Sequence, residues 1–97
     1  MPSAYKQSIH AGSSTNALVA SAFLVGAVPF NTQFIQFNVW DNPVYVQWLL
    51  NDGITYTANF EIDPNWQPII IPFLARGFQI IDKTALLHGR YQIIGMG

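Results

Sequence analysis

The chain has 97 residues, a net charge of −1 and no cysteine, which excludes disulfides and thiolate metal sites. A chain of this length suits one domain, which buries roughly two-thirds of its unfolded surface and can fold without covalent cross-links. Its four basic residues are too few and too scattered to follow a phosphate backbone, so we expect no nucleic-acid partner.

Charge is sparse throughout the chain. Charged residues make up 9% of the sequence and hydrophobic residues 51%, whereas an average domain has about 25% charged residues. A free monomer normally keeps a charged exterior, and low charge combined with 14% aromatic residues is typical of protein interfaces. We therefore expect permanent association with other chains or with further copies of this one.

Residues 1–16 are predicted to form an extended arm ahead of a domain that covers residues 17–97. Small polar residues cluster at 12–16, and Tyr5 and Ile9 are the apolar anchors of the segment. Ordering an arm costs about 1–2 kcal/mol of backbone entropy per residue, which contacts must offset. Neighbouring subunits and the chain's own domain are the two sources of such contacts that we consider.

The segment Ala17–Phe30 is largely apolar. It is shorter than the roughly 20 apolar residues of a membrane-spanning helix, and Gly26 and Pro29 interrupt it, so we expect no membrane span. A signal peptide with Leu18–Val28 as its apolar region is the alternative, although Lys6 lies far upstream of that region. Gly26 and Pro29 end the apolar segment after a short length, which favours short strands over a helix.

Apolar and polar residues alternate along Gln33–Val39 and again along Val44–Trp48, as in strands with one buried face. Asp41, Asn42 and Pro43, which lie between the two segments, are turn-forming residues. We predict that the two strands form a hairpin. The residues expected on the buried faces are Ile35, Phe37, Val39, Val44, Val46 and Trp48.

The clearest alternation runs from Ile54 to Asp63, directly after the turn-forming pair Asp52-Gly53. It predicts one long strand with an apolar, buried face and a polar, solvated face. The residues of the apolar face are Ile54, Tyr56, Ala58, Phe60 and Ile62. Phe60→Ala is accordingly expected to cost about 3–5 kcal/mol, and Thr57→Ala on the other face little.

Three short strands complete the pattern. Ile69–Ile71 is apolar on both sides, as in a strand covered on both faces, and the flanking Pro68 and Pro72 restrict it to a sheet edge or a bulge. Phe78–Ile81 and Tyr91–Ile94 are the last two. About seven short strands separated by turns predict an all-β fold, a single antiparallel β-sandwich, with a closed barrel as the alternative.

We find no residue pattern for catalysis, for cofactor binding or for metal binding. His10 and His88 lie far apart, and neither has a second ligand at the spacing of a metal site. The aspartates occur at turns, where Asp is favoured for backbone reasons, and Ser13 and Ser14 lack the motif of a nucleophile elbow. The chain is therefore expected to be non-enzymatic and to need no cofactor.

Aromatic residues are the remaining candidates for a binding surface. Such residues mostly fill cores or interfaces, and we predict an interface that contains Tyr5, Ile9, Phe34, Trp40, Tyr45, Trp48 and Trp66. The alternative is a carbohydrate-binding platform of exposed rings. Its members would be Trp40, Trp48 and Trp66 with Phe34, Tyr45 and Tyr56.

Several pieces of the chain form a pattern of strand ends. They are Phe37-Asn38-Val39, Pro43-Val44-Tyr45-Val46, Asp63-Pro64, Arg76-Gly77-Phe78 and Tyr91-Gln92-Ile93-Ile94-Gly95-Met96-Gly97. The pattern resembles that of small β-sandwich proteins in the virions of tailed bacteriophages. The apolar segment Ala17–Phe30 and the strand of three isoleucines depart from it.

The resemblance implies a structural protein of a phage virion, on the head surface, where it decorates or cements the capsid. Its partners would be capsid or other virion proteins, and it would form a homo-oligomer. A tail or head–tail attachment subunit is one alternative. A carbohydrate-binding sandwich is another, from a different functional class.

Overall fold

The described part of the chain is almost entirely β-structure. The structure is a computed structural model, and it describes residues 6–66 and 69–97. Within these ranges one short 3₁₀ helix, Pro64–Trp66, accompanies ten strands. The strands are β1 Gln7–Ser13, β2 Val19–Ala22, β3 Leu24–Val25, β4 Val28–Pro29, β5 Phe34–Trp40, β6 Val44–Leu49, β7 Phe60–Ile62, β8 Ile69–Ile71, β9 Gly77–Asp82 and β10 Arg90–Met96.

Eight of these strands form two antiparallel four-stranded sheets. The first sheet has the order β1-β10-β5-β8 and the second the order β2-β9-β6-β7, while β3 and β4 form a separate hairpin. Apart from β6 and β7, sandwich strands that follow one another along the chain lie in opposite sheets. This is the strand order of a jelly roll, an eight-stranded sandwich made of two Greek keys. The predicted all-β sandwich is confirmed.

The inner faces of the two sheets enclose one core that is rich in aromatic residues. Phe37 of the first sheet packs on Trp48 of the second, with ring centroids 5.9 Å apart. All residues predicted to be buried on β5 and β6 are buried. The core residues are Phe23, Phe30, Ile35, Phe37, Val39, Val44, Val46, Trp48, Ile62, Ala75, Phe78, Ile80, Tyr91 and Ile93.

Strand β1 lies within the segment that was expected to be an arm. It pairs with β10 over its whole length, from Gln7 opposite Met96 to Ser13 opposite Arg90. Residues 7–13 thus dock on the chain's own domain, which is one of the two sources of contacts considered for the arm. The boundary at residue 16 lies in the connection between β1 and β2, after the first strand of the sandwich.

Strands β5 and β6 do not form the predicted hairpin. β5 lies between β10 and β8 in the first sheet, and β6 lies between β9 and β7 in the second. Each strand has one apolar face, and a sandwich buries the two faces against each other across the core. The turn between the strands therefore crosses from sheet to sheet, with Asp41 at a φ of 77°, a left-handed conformation that Asp adopts more readily than most residues.

The chain turns after β6, as predicted. The N–H of Gly53 donates to the carbonyl of Leu50, and the N–H of Leu50 donates to the carbonyl of Thr55. The carboxylate of Asp52 accepts hydrogen bonds from the N–H groups of Ile54 and Thr55 at 2.8 and 2.9 Å. The Oγ1 of Thr55 donates to the second carboxylate oxygen of Asp52 at 2.6 Å. This hydrogen bond, together with those from the two N–H groups, lowers the pKa of Asp52.

The prediction of one long strand after this turn is wrong. Leu49 lies opposite Tyr56, whereas Val46 lies opposite Phe60. Three steps along β6 therefore match four steps along the other segment, which is the mark of a β-bulge. A shift of one residue exchanges the two faces of a strand, so the alternation in the sequence cannot continue through the bulge.

Burial reflects this exchange of faces. Ile54, before the bulge, is 80% exposed, whereas Ile62, after it, is fully buried. Phe60 also follows the bulge and points inward opposite Val46, but at the sheet edge it is still 37% exposed. Of the strand predicted over Ile54–Asp63, only the part that forms β7 pairs regularly with β6. The face predicted to be polar and solvated is also not fully solvated, because the Oγ1 of Thr57 accepts the N–H of Trp48 at 3.0 Å.

Strand β8 is an edge strand, as predicted, and pairs with β5. Its middle residue, Ile70, is 58% exposed, so the strand is not covered on both faces. Pro68, which contributed to the prediction, lies outside the described residues. The sandwich has eight strands rather than about seven because β1 belongs to it.

Candidate interaction surface

The outward side chains of the first sheet form a continuous surface, called the outer face below. Inward and outward residues alternate along each strand, and the strand register aligns the outward ones in rows, such as Ile9, Ile94, Gln36 and Ile70. The surface measures roughly 20 Å in each direction. Its residues are Gln7, Ile9, Ala11, Ser13, Phe34, Gln36, Asn38, Trp40, Ile70, Arg90, Gln92, Ile94 and Met96.

Arg90 is the one charged residue of the outer face. Its Nε donates to Oδ2 of Asp41 at 2.8 Å, and its guanidinium lies 5.8 Å from the centre of the Trp40 ring. The hydrogen bond from Arg90 to the Asp41 carboxylate raises the pKa of Arg90. The arginine is therefore charged and compensated by Asp41, so the outer face presents no net charge to a neighbour.

Amide side chains are arranged differently on the two sheets. On the second sheet, Gln79 donates to Gln47 and Gln47 donates to Asn59 at 2.8 Å. On the outer face of the first sheet, the amides that make no side-chain hydrogen bond within the described part of the chain are Gln7, Gln36, Asn38 and Gln92. The outer face thus combines apolar side chains with amides that can bond to a partner.

The structure places three of the predicted interface residues on the outer face. Ile9, Phe34 and Trp40 are 57%, 47% and 39% exposed. Tyr45 points outward from the second sheet, and Trp66 is exposed at the end of the 3₁₀ helix. The predicted interface residues therefore lie on at least two surfaces.

Trp48 was predicted to be an interface residue, and the structure corrects this. It is only 3% exposed, because it points inward with Val44 and Val46 on β6. Its ring lies 6.3 Å from the ring of Phe73 on the inner side of the sandwich. Tyr5, also predicted to be an interface residue, lies outside the described residues.

The aromatic residues considered for a carbohydrate platform do not lie on one surface. Phe34 and Trp40 are at opposite ends of β5, about 20 Å apart at the rise of a strand. Tyr45 belongs to the other sheet, and Trp48 is in the core.

Sequence reasoning missed the contribution of β10 to the outer face. Ile94 and Met96 are half-buried outward residues of this strand. The signal for them was present, since Gln92 stands between the core residues Tyr91 and Ile93 and marks the outward side. Two and four residues further along, Ile94 and Met96 must point the same way.

An apolar cleft of about 360 Å³ opens between the edges β7 and β8. The residues that line it are Trp48, Thr57, Ala58, Asn59, Phe60, Ile71 and Phe73. The bulge before β7 leaves this gap, because the segment departs from the sheet there. A cleft of this size and lining can hold an apolar side chain.

Ser14, Asp82 and His88 meet at one end of the sandwich. The Oγ of Ser14 donates to Oδ1 of Asp82 at 2.5 Å, and Nδ1 of His88 lies 2.8 Å from Oδ2 of Asp82. The Ser14 hydroxyl also accepts the N–H of Gly89 at 2.9 Å. The aspartate separates the serine from the histidine, so the histidine is not placed as the base of a nucleophilic triad.

This Ser14–Asp82–His88 cluster has a structural role. Ser14 is 1% exposed and Asp82 is 6% exposed, and together they connect the ends of β1, β9 and β10. Asp82 was expected at a turn for backbone reasons, but its side chain is a buried acceptor. No pattern in the sequence indicates the cluster, because its members are brought together only by folding.

His10 lies on the inward side of β1. Its ring is 5.7 Å from that of Phe23 and 5.3 Å from that of Phe78, and Nε2 lies 2.8 Å from the Oγ of Ser8. Burial lowers the pKa of His10 below its ordinary value of 6.5, against the opposing effect of a hydrogen bond with the backbone of Ala22. The ring is part of the packing between the sheets.

Within residues 6–66 and 69–97, no group of three His, Cys, Asp or Glu side chains is placed to hold a metal ion. In the same ranges, no helix has the length and apolar character needed to cross a membrane.

Comparisons with protein-family models, with curated proteins and with solved structures found no match for the chain.

Proposed function

We propose that the chain is a structural protein of a phage virion, a decoration or cement subunit of the head surface that binds neighbouring capsid proteins. The outer face is the binding surface in this proposal. The observation that carries it is the composition of that face, a four-stranded surface whose single charge is compensated by Asp41. The strand-end resemblance supports the choice of a virion as the assembly.

A neighbouring chain would gain energy by covering the outer face. Ile9, Phe34 and Ile70 are each about half exposed, and burying the remainder of such a side chain contributes roughly 1 kcal/mol. Gln36 and Gln92 would supply hydrogen bonds, which typical interfaces contain at about one per 100–200 Å². A charged partner surface would find no counter-charge there.

The arrangement of the remaining polar groups supports a non-enzymatic role. The buried hydroxyl of Ser14 is engaged by Asp82 and Gly89, which leaves it unable to meet a substrate. Glu61 is held by Lys83 at 2.7 Å on the second sheet. Hydrolysis that is lost in a folded Glu61→Gln or His88→Ala variant would contradict this part of the proposal.

The fold is compatible with more than one function. Jelly rolls occur in viral capsid proteins and in lectins, so the fold alone does not decide between an assembly subunit and a carbohydrate-binding module. The dispersal of the exposed aromatic residues over different surfaces favours the assembly subunit.

The proposal is tested by placing a charge at the centre of the outer face. Gln92 lies between Ala11 and Asn38 in the strand register, and Gln92→Lys would put an unpaired ammonium group into the interface. Ala20→Lys is the matched control, since Ala20 is exposed and lies on the second sheet opposite Gln79. Quantitative mass spectrometry of purified particles would measure copy number for wild type and both variants.

We expect the wild-type chain and Ala20→Lys at equal copy number in particles and Gln92→Lys reduced at least tenfold, because an unpaired buried charge is costly. Absence of the wild-type chain from particles would refute the virion assignment. Equal incorporation of both variants would refute the outer face as the binding surface.

A further inference from the structure

The edges of the two sheets differ in length and in protection. β1 has seven residues, whereas the other edge strands β2, β7 and β8 have four, three and three. β7 carries Glu61, and Pro72 directly follows β8, and both charge and proline protect an edge from pairing with another chain. β1 has neither a charged residue nor a proline.

The direction of the free backbone groups of β1 follows from its register with β10. The N–H of Gly97 donates to the carbonyl of Lys6, and the N–H of Ser14 donates to the carbonyl of Gly89. Hydrogen-bonded and non-bonded pairs alternate in an antiparallel ladder, so the even-numbered residues of β1 bond to β10. The N–H and C=O groups of its odd-numbered residues point to the open edge, where no described strand lies.

We propose that β1 pairs antiparallel with β1 of a second copy of this chain, about a two-fold axis at His10. Ile9 then lies opposite Ala11 of the second copy, and Gln7 opposite Ser13. All four are odd-numbered, so each such pair can exchange two backbone hydrogen bonds. The side chains of these residues point to the outer face, and the two outer faces join into one surface of eight strands.

The pattern of β1 is what makes a second copy the fitting partner. Under this symmetry the outward side chains are neutral and the paired ones are of unlike size, Ile9 with the small Ala11. Two-fold contacts require such self-complementarity, because when one residue of the first copy contacts a given residue of the second, the same two residues also meet with the copies exchanged. The central pair, His10 with His10 of the other copy, points to the inner side and is not required to bond.

Apolar side chains beside β1 add to the contact area. The hairpin β3–β4 adjoins the strand, since the N–H of Leu24 donates to the Oγ of Ser8 at 3.2 Å. The end of β2 lies beside it as well, since the ring of His10 is 5.7 Å from the ring of Phe23, the residue that follows β2. The exposed apolar residues of this flank are Ile9, Leu18, Val19, Leu24, Val25 and Val28, each 40–68% exposed.

The size of this flank suits a dimer. These side chains leave roughly 500 Å² of apolar surface accessible, at the upper end of what a monomer usually exposes in one patch. With the paired backbone of two seven-residue strands, the area approaches the roughly 800 Å² per partner of a standard interface.

Replacing Ala11 by proline tests the pairing directly. Ala11→Pro removes an N–H that points to the open edge and leaves the bonds to β10 intact, a position where proline is tolerated in edge strands. Ala11→Thr is the matched control, since it keeps the N–H group. Sedimentation velocity of the full chain, up to about 100 μM, would measure dimerisation by mass action.

We expect the wild-type chain and Ala11→Thr to form dimers and Ala11→Pro to dimerise at least tenfold more weakly. Hydrogen exchange of the wild-type chain provides a second measurement of the pairing. It tests the pairing even where the Ala11→Pro variant does not fold. The amides of Ile9 and Ala11 should gain protection as concentration rises, whereas the amide of His10 should be protected at every concentration.

A wild-type chain that is monomeric at about 100 μM, or exchange at Ile9 that does not depend on concentration, would overturn the inference. A dimer that survives Ala11→Pro and is lost in Gln92→Lys would overturn it in favour of stacked outer faces. A monomer that is still incorporated into particles would overturn only this inference and leave the proposed function standing.

Discussion

Strand β5 and the segment from Ile54 to Ile62 have the same alternating sequence pattern, but only β5 buries its apolar face. β5 has hydrogen-bonded neighbours on both sides, β10 and β8, and these hold its register along the whole strand. The second segment lies at a sheet edge and pairs with β6 alone, so a bulge can form at no cost to a further neighbour. An alternating pattern therefore predicts a buried face reliably where strands lie on both sides.

Phe37→Ala on β5 should have the largest effect. Phe37 is 1% exposed and packs on Trp48, and removing a fully buried phenylalanine costs about 3–5 kcal/mol. Urea unfolding would measure this loss. The matched control is Phe34→Ala on the same strand, which is 47% exposed and should cost less than about 1 kcal/mol in the isolated chain. Similar losses at the two sites would refute the face assignment of β5.

Phe60→Ala should cost clearly less than Phe37→Ala, about 1–2 kcal/mol. Phe60 keeps ring contacts with Phe37 and Trp48 at 5.9 and 6.3 Å, but 37% of it is exposed at the cleft. This lowers the expectation of about 3–5 kcal/mol that the sequence pattern suggests. A loss equal to that of Phe37→Ala in the same urea series would show that β7 is as buried as β5.

Thr57→Ala should cost about 1 kcal/mol, more than the alternating pattern suggests, because it removes the acceptor for the N–H of buried Trp48. Thr57→Ser keeps the hydroxyl and should retain most of the stability. Thermal unfolding of the two variants side by side would separate the hydrogen bond from the methyl group. Equal destabilisation by both would assign the effect to packing of the methyl group and not to the hydrogen bond with Trp48.

Ile54→Ala should have the smallest effect, within about 0.5 kcal/mol of wild type, because Ile54 is 80% exposed. Ile62→Ala is the contrast within the same predicted face. Ile62 is fully buried, and its replacement should cost about 2–5 kcal/mol. Comparable losses in guanidinium unfolding would mean that the segment forms one regular strand after all.

The sequence by itself determined the local features of this protein. The spacing of apolar residues set the strands β5, β6, β9 and β10 and the inward faces of β5 and β6, since side chains of a strand alternate between two faces. Asp, Asn, Gly and Pro marked the turns through their own backbone preferences. Sparse charge predicted association with other chains, which stays a prediction, and the structure shows that Ile9, Phe34 and Trp40 are exposed on the outer face.

Only the tertiary structure decided which strands pair and which side chains meet. Hydrogen bonds between strands join residues far apart in sequence, and the backbone N–H and C=O groups that form them are alike in nearly every residue. The sequence therefore contains no signal that β1 belongs to the sheet or that β5 and β6 lie in different sheets. The Ser14–Asp82–His88 cluster and the rows of the outer face arise in the same way. Local preferences choose the strand, whereas the shared core that two sheets must enclose chooses the arrangement of strands.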